Sequence, residues 1–397
     1  MLGAFAIAAD VGGTLVLSDR TEVRARAPGI KAGQPSIDVE TAPEVRLALG
    51  SPRVHFRIAY TPRLTNWDLN VDGVRPLLLH AGSAGIEWID GRTRLSLRED
   101  GAYGGMSFTS LTATPGTTTT PTQPRLDVIP GGGILQYAAS TTVLGSRTDL
   151  RRWAFVTDVG YQMSGGADAA SRAFLPWQRG PLADVAVEYA VTRADRAVTF
   201  VSGQDAAFTT GSEIIVIDAT EGWRRRWSAA TDSELSVGAS EAGIRATPAS
   251  SMEYRTYPVA EASLEHRFGM DFDRFLVRGS ARLGPVVNRI LGLVDERVQG
   301  RVEARWSHQP IGFRFVLTAQ QSVPASDVTA ITLLQGELAL LVRLNANVQL
   351  DGGVRELAQR QAQLGPAVVP TDPIVRSTFT QSVVFVGVTL HAPDTRL

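Results

Sequence analysis

Polar and apolar residues alternate along most of this 397-residue chain. Near the N-terminus, charged residues occupy alternate positions and apolar residues lie between them: Arg20, Glu22, Arg24 and Arg26 alternate with Val23, Ala25 and Ala27. Successive side chains of a β-strand point to opposite faces, so this segment predicts a strand with one charged and one mostly apolar face. The same period recurs at 37–49, 53–64, 297–306 and 334–343, whereas helical periodicity is nearly absent.

The number and length of these segments favour a large β structure. We predict about 18 strands, or 16 if the blurred stretch 197–246 has led to a miscounted hairpin. Many candidates run to roughly 11–15 residues, longer than the strands of ordinary globular sheets. A tilted strand that crosses a bilayer needs about 9–11 residues. The predicted strands are therefore long enough to span a membrane.

Connections between the predicted strands alternate in length. Tight links follow strands two, four, eight, twelve, fourteen and sixteen, at 50–52, 90–92, 193–195, 269–271, 308–310 and 345–347. Longer links follow most odd-numbered strands, at 66–76, 111–133, 164–180, 243–252, 284–295 and 361–376. We also interpret 286–298 as loop rather than as a helical turn. This rhythm predicts a closed antiparallel transmembrane β-barrel with short periplasmic turns and long extracellular loops.

We assign 11–397 to a single barrel domain, within which 111–133 is a low-complexity loop. Its Thr-, Pro- and Gly-rich composition cannot pack a core, which favours an exposed insertion over a binding loop. Residues 1–10 resemble the end of a secretory signal peptide that lacks its basic region, or else form the edge of a first strand.

Charged residues recur at strand centres on one face, which predicts a wide hydrated lumen lined by that face and a lipid-facing apolar belt on the other. The residues that we place in the lumen are Arg24, Arg26, Asp38, Glu40, Glu44, Arg46, Arg53, His55, Arg57, Arg301, Glu303 and Arg305. Two interpretations stay open: the charges form a permeation path that sorts solutes, or they pair to fix strand register.

Aromatic residues lie mostly near predicted strand ends, as the girdles of a membrane barrel would. They are Tyr60, Trp67, Trp88, Tyr103, Trp153, Tyr161, Trp177, Trp223, Trp227 and Trp306. Ordinary packing in a β protein is the alternative.

Composition narrows the function. A hydrophobic content of 44% and a mean hydropathy near zero exclude a disordered chain. No apolar run reaches the ~18 residues of a membrane helix, so a membrane location requires strands. The net charge is −1 and no basic block occurs, so we expect no nucleic-acid partner. The absence of cysteine excludes disulfides and thiolate metal sites.

Catalytic chemistry has little support. The five histidines are scattered without metal-ligand spacing, and no glycine-rich phosphate loop follows a strand. Asp38, Glu40 and His55 could be neighbours across strands two and three, in the manner of outer-membrane proteases, but they fit lumen ion pairs equally well. We therefore predict a protein that is not an enzyme, with no catalytic residue, metal or cofactor.

The hairpin rhythm, the Arg/Glu-rich face and the segment 55–64, His-Phe-Arg-Ile-Ala-Tyr-Thr-Pro-Arg-Leu, resemble Gram-negative outer-membrane β-barrels. The arginine-rich style is similar to uncharacterised barrels of GC-rich, myxobacterial-type proteobacteria. The resemblance covers nearly the whole chain but is architectural. It implies an outer-membrane location, contact with lipid and lipopolysaccharide, and insertion by the outer-membrane assembly machinery. One departure is that the chain ends on Leu397 rather than on an aromatic residue, with Phe385 as a distant substitute.

Three functions remain open. The first is a passive porin-like channel or a structural outer-membrane protein. The second is a binding or adhesion barrel whose long loops carry the function while the lumen is blocked. The third is an outer-membrane hydrolase. The sequence leaves the solute and the oligomeric state open.

Overall fold

The computed structural model describes residues 12–27, 35–66, 69, 75–107, 134–270, 273–288, 293–323, 330–362, 379–392 and 395–396. The proposed signal remnant at 1–10 and the low-complexity loop at 111–133 lie outside these residues, so both stay predictions.

The described residues form one antiparallel sheet of 18 strands, two of which are each divided into two segments. The first nine are β1 (Gly12–Ala27), β2 (Ser36–Gly50), β3 (Val54–Tyr60 and Arg63–Asn66), β4 (Leu77–Asp90), β5 (Thr93–Ser107), β6 (Ile134–Asp149), β7 (Trp153–Gly166), β8 (Gln178–Ala190) and β9 (Asp195–Phe208). The others are β10 (Glu213–Arg226), β11 (Thr231–Arg245), β12 (Glu253–Met270), β13 (Asp273–Asn288), β14 (Leu293–His308), β15 (Ile311–Ser322), β16 (Ala330–Arg343), β17 (Val348–Ala362) and β18 (Phe379–His391 and Thr395–Arg396).

A pair of prolines explains the division of β3. Both segments of β3 pair with β2 in one unbroken register, which places Pro62 opposite Pro43. Proline has no N–H to donate, so the ladder is interrupted where the two residues face each other. On the other side, Thr61 N still donates to Ala81 O at 2.8 Å, in register with β4. The two segments therefore form one strand.

The sheet closes because β18 pairs with β1, from Ser18 opposite His391 to Ala27 opposite Ser382. Following the pairings once around the barrel returns to β1 about 22 residues further along, which corresponds to a strand tilt of about 40°. The offset is even, so inward and outward faces stay continuous around the barrel. A closed sheet has no unpaired edge, as hydrocarbon requires. The prediction of a closed 18-stranded antiparallel barrel is confirmed.

Connection length separates the two ends of the barrel. Every even-numbered strand from β2 to β16 is followed by a link of two to four residues, and we call this end the turn end. Between β4 and β5 the link is Gly91-Arg92, and Gly91 adopts φ 56°, as two-residue hairpin turns demand. Most links at the opposite end, the loop end, are longer, although those at 209–212 and 289–292 have four residues.

Two expectations about the loop end are wrong. The segments predicted as loop at 284–295 and 286–298 largely belong to strands, since β13 reaches Asn288 and β14 begins at Leu293. Apolar residues occupy successive positions at 286–287 and 293–294, so the period of two is lost there. Within 164–180, where we expected only loop, β7 continues to Gly166 and a six-residue helix, α1 (Ala169–Phe174), follows. None of the helices formed by the described residues is long and apolar enough to cross a bilayer.

The two faces of the sheet differ sharply in burial. On β1, Glu22, Arg24 and Arg26 are buried, whereas Leu17 and Val23 are exposed at 42% and 46%. In a closed barrel the buried charged face is the lumen side, and the exposed apolar face is the outer belt. Exposed aromatic residues of this belt cluster near the turn end: Trp88, Trp153, Phe155, Trp223, Trp227 and Phe268. Among the exposed tyrosines of the belt, Tyr60 lies in the middle of β3, and three others lie nearer the loop end: Tyr103, Tyr161 and Tyr254. This distribution is typical of membrane-interface girdles.

Candidate functional site

The lumen is the candidate functional site, and one side of it is a continuous ladder of ion pairs. We call this the paired wall; it comprises Arg314, Glu337, Arg355, Asp351, Arg20, Glu22, Arg24, Arg26, Asp38 and Glu40 on β15–β17, β1 and β2. Some of its ion pairs join facing residues of neighbouring strands, such as Glu337 and Arg355, and others join residues two positions apart on one strand, such as Glu22 and Arg24.

Arg355 joins two acidic residues of the paired wall. Its Nε donates to Glu337 Oε2 at 2.8 Å, while Nη1 and Nη2 donate to the two carboxylate oxygens of Glu22 at 2.5 and 3.0 Å. Arg314 forms a second ion pair with Glu337. Phe385 lies beneath the Arg355 guanidinium, whose carbon is 3.9 Å from the ring centroid. Phe385 is therefore a buried lumen residue with a packing role of its own.

The ladder continues across β1 into β2. Arg24 Nε donates to Glu22 Oε1 at 2.5 Å and Arg24 Nη1 donates to Glu40 Oε2 at 2.9 Å. Arg26 holds both oxygens of Asp38 in a two-pronged contact at 2.9 and 3.0 Å. Such bidentate pairs fix geometry as well as charge, because the guanidinium and the carboxylate are both planar. The paired wall therefore locks the register of its strands.

The other predicted lumen residues lie nearer the turn end or on a different strand. Glu44 and Arg46 form a partly exposed pair within β2, with Nε to Oε1 at 2.5 Å. Pairing with β2 places His55 and Arg57 on the lumen face of β3. On β14, Glu303 accepts from Arg301 at 3.2 Å and also pairs with Arg305.

Arg53 is not on a strand wall. It lies in the turn before β3, where its carbonyl accepts a hydrogen bond from Ile89 N at 2.7 Å. The expectation that it lines the wall is corrected to this position. The turn that includes Ser51 and Pro52 ends before Val54, where β3 begins. The predicted alternation was taken to start at Arg53, one residue before the strand.

The proposed neighbourhood of Asp38, Glu40 and His55 does not form. His55 pairs with Gly50 at the turn end, whereas Asp38 and Glu40 lie ten or more residues along β2 toward the loop end. At about 3.3 Å per residue, this separates the histidine from both carboxylates by roughly 30 Å or more. The protease-like arrangement is therefore wrong. Within the described residues, no group of three or more His, Asp or Glu side chains is placed to hold a metal ion.

Helix α1 attaches a loop segment to the lumen near the loop end. Its N-cap Asp168 accepts a hydrogen bond from Ser171 N at 2.6 Å, and Gln136 N on β6 donates to Ser171 Oγ at 2.8 Å. The hydrogen bonds from the backbone and the side chain of Ser171 lower the pKa of Asp168. A Cβ on Gly166 would lie 2.3 Å from the carbonyl carbon of Ser171, so this close approach requires glycine.

An apolar cluster next to α1 narrows the lumen. It joins residues of β5 and β6, the residue after α1, and residues of β16 and β17: Ala102, Met106, Leu135, Tyr137, Leu175, Leu333 and Leu357. All are buried, and the register places those of the four strands on the lumen face. Because these strands lie on different sides of the barrel, their contact constricts the interior near the loop end.

The tip of the β13–β14 hairpin makes a second constriction. We define the hairpin tip as residues 284–288 and 293–295. Pairing of β13 with β12 ends at Ala260 opposite Leu283, although β12 itself continues to Glu253 and remains paired with β11. Val294 of the tip is buried in a cluster with four lumen-face residues of β9–β11: Ala206, Phe208, Ile214 and Ala242. The tip thus leaves the wall and folds into the lumen.

Sequence reasoning missed two parts of this site. Arg355, Glu337 and Glu22 alternate correctly in the sequence, but a partner 333 residues away can only be identified once the barrel is closed. Asp158, Asp184 and Asp218 are single carboxylates in otherwise small or apolar segments. Their alternation was the available signal, since each lies on the lumen face of its strand.

Solved structures similar to this chain are outer-membrane transporters and porins. The FrpB iron transporter of Neisseria meningitidis, F5-1 variant in its apoprotein form, matches with a TM-score of 0.53 and 8% identity, covering 95% of this chain and 81% of that one. The F3-3 variant matches with a TM-score of 0.51 and 8% identity, covering 91% of this chain and 64% of that one. OpdL of Pseudomonas aeruginosa matches with a TM-score of 0.46 and 10% identity, covering 98% of this chain and 99% of that one.

At these identities the similarity concerns the fold alone. The barrel is of the kind found in the outer membrane of Gram-negative bacteria, which agrees with the predicted location. No curated protein matches the sequence.

The similarity to myxobacterial barrels in particular stays a prediction. A match to a family model says more about this chain than the solved structures do, because it extends along most of the sequence. A model of the EpsX exopolysaccharide export family matches residues 7–371, and the protein therefore belongs to this family.

Proposed function

We propose that this barrel is the passage through which an exopolysaccharide crosses the outer membrane. The family match over residues 7–371 is the observation that carries the proposal. The architecture supports it, since barrels of 16–18 strands are wide enough to enclose an aqueous channel. We place the turn end in the periplasm and the loop end outside the cell, as in other outer-membrane barrels.

The lumen chemistry suits a hydroxyl-rich polymer. Arginine and carboxylate groups line it, and they are donors and acceptors for sugar hydroxyls. Most charges of the paired wall are buried against one another, whereas Arg46, Arg301 and Arg305 of the lumen are 58%, 41% and 47% exposed and offer several weak contacts instead of one strong site. Conduction requires binding that is weak enough to release the solute at each step.

Deletion of the gene in the source bacterium tests the proposal. We expect extracellular polysaccharide to fall severalfold and to return when the wild-type gene is supplied in trans. Total cell polysaccharide should be measured in parallel, because a synthesis defect would lower both pools. Wild-type amounts of surface polysaccharide in the deletion strain would overturn the proposal.

The two apolar constrictions favour a second candidate, a binding barrel with a blocked lumen. Purified protein in planar bilayers distinguishes them, because a passage gives discrete conductance steps whereas a blocked barrel that is correctly folded gives none. A passive porin-like channel is a separate candidate. It predicts conductance without a defect in polysaccharide secretion.

A further inference from the structure

We propose that a row of three carboxylates at mid-height of the lumen, Asp158, Asp184 and Asp218, attracts and binds hydrated cations. We call it the acidic row. This inference deepens the proposed function, since it names a class of ligand for the same lumen and the residues that select it.

The row follows directly from strand register. Asp158 on β7 lies opposite Asp184 on β8, Asp184 lies opposite Ser202 on β9, and Ser202 lies opposite Asp218 on β10. Ser202 Oγ donates to Asp218 Oδ2 at 3.4 Å. Residues directly opposite on neighbouring strands have Cβ atoms about 5 Å apart. The three carboxylates therefore share one stripe across four strands.

Little positive charge offsets the acidic row. Within the described part of the chain, neither Asp158 nor Asp184 forms an ion pair, and Asp218 has one basic neighbour, Arg282, at 3.3 Å. The lumen-face residues two positions before and after the three carboxylates and Ser202 are uncharged: Val156, Gly160, Leu182, Ala186, Phe200, Gln204, Val216 and Thr220. The paired wall differs, since each of its carboxylates meets at least one arginine.

Two buried oxygens at one end of the acidic row lack a hydrogen-bond partner. Ser240 on β11 lies directly opposite Asp218, is 1% exposed, and has an unpartnered Oγ. Asp218 Oδ1 is also buried and unpartnered. Buried polar oxygens are normally satisfied, so two unpartnered oxygens on facing residues at the end of the row indicate a site for a ligand that supplies donors. The first shell of a hydrated cation supplies such donors.

The spacing favours a hydrated ion over a chelated one. The carboxylates lie on different strands and do not form a group that can hold a bare metal ion. A stripe of like charge in a narrow interior raises the local concentration of counter-ions without fixed coordination. The expected behaviour is therefore attraction of cations in general.

Charge-selective labelling tests the local potential independently of conductance. The chain has no cysteine, so Ser202→Cys introduces a unique thiol in the middle of the row. In refolded protein, we expect this thiol to react about tenfold or more faster with a trimethylammonium methanethiosulfonate than with the sulfonate analogue, relative to a free thiol. Adding Asp158→Asn, Asp184→Asn and Asp218→Asn should remove that preference.

Thr318→Cys is the matched control, because Thr318 is a half-buried lumen residue of β15 opposite Arg301. We expect no preference for the cationic reagent there, and no effect of the three asparagine substitutions. An equal rate with both reagents at Ser202→Cys would overturn the inference. So would a thiol that reacts with neither reagent until the protein is unfolded, because solutes would then not reach the row.

A bilayer measurement separates this inference from the proposed function. In a potassium chloride gradient, the reversal potential should indicate cation preference in the wild type and a smaller preference in the triple asparagine variant. Conductance without the labelling preference refutes the acidic row and leaves the passage intact. The labelling preference without conductance supports the row and refutes the passage.

Discussion

At the scale of single residues, Glu22 shows why the paired wall needs every member. Its carboxylate is 3% exposed and meets three guanidinium groups, those of Arg20, Arg24 and Arg355. Charges taken out of water are stable only while their partners stay in place. Loss of its charge therefore leaves the buried guanidinium groups of Arg24 and Arg355 under-compensated, with Glu40 and Glu337 as their close remaining partners.

We predict that Glu22→Gln lowers the free energy of unfolding by about 3–5 kcal/mol, the usual cost of breaking a buried pair. Glu44→Gln on β2 is the control, since its partner Arg46 is 58% exposed and surface pairs contribute about 0–1 kcal/mol. Denaturant titration of the protein in lipid vesicles measures both. Equal losses in the two variants would contradict a special role for the buried ladder.

Gly104 on β5 carries a second prediction at this scale. It adopts φ 141°, and a Cβ there would lie 2.0 Å from Leu78 O. Gly104→Ala should therefore destabilise the barrel by about 1–3 kcal/mol, the range for a strained backbone position. In Gly101→Ala, the nearest atom is 3.8 Å away, so that variant should stay within about 1 kcal/mol of wild type. The same titration compares them, and a harmless Gly104→Ala would show that the backbone relaxes freely.

The face of the sheet on which a charged residue lies was predictable from the sequence, whereas its ion-pair partner was not. Alternation placed Arg24, Arg26, Asp38 and Glu40 on one face, because the period of two is a local property. The link from Glu22 to Arg355 depends on the contact of β1 with β17 across β18, and thus on closure of the barrel. No local pattern contains that information.

At the scale of elements, the hairpin tip of β13 and β14 is the part of the barrel that we expect to restrict flow through the lumen. It leaves the wall beyond Leu283, and Val294 covers apolar lumen residues such as Ile214. Just before this point, Arg282 reaches across β11 and β12 to Asp218. Within the described residues, this hairpin thus contacts strands β9–β11 through an ion pair and an apolar cluster.

We predict that removing residues 285–296 and joining Gly284 to Arg297 through an Asn-Gly turn increases single-channel conductance. The two flanking residues pair directly, so a short turn can replace the tip. Replacing the exposed β11–β12 loop at 246–252 by the same turn is the control and should leave conductance unchanged. A tip deletion that folds normally yet conducts like wild type would show that the tip does not restrict flow.

The hairpin tip also marks a limit of sequence analysis at this scale. Strands were predictable wherever one face meets lipid and the other meets water. In the tip, Val287 pairs with Val294 away from the barrel wall, so neither face alternates and the segment was interpreted as loop. The division of β3 had a visible cause in Pro62, but its pairing with Pro43 required the register.

At the scale of the whole molecule, the alternation of tight turns and longer links predicted the closed barrel and its strand count. Both follow from repeated local features, and each hairpin adds to the same signal. The narrowing of the lumen does not follow from them. It depends on contacts such as Leu175 with residues on distant strands, which connect parts of the chain that share no pattern.

The outer belt carries a prediction about the molecule in its bilayer. Leu338, 44% exposed, lies in the middle of β16, and Leu344, 58% exposed, lies in the turn that follows. An arginine at the bilayer midplane costs about 2–4 kcal/mol, and near the interface about 0–1 kcal/mol. Leu338→Arg should therefore reduce stability in vesicles by several times more than Leu344→Arg. In detergent, where the apolar layer is thinner and more adaptable, the two should differ less. If both substitutions cost the same in vesicles, the apolar face of β16 does not meet the hydrocarbon, and a barrel buried against protein would explain the belt better.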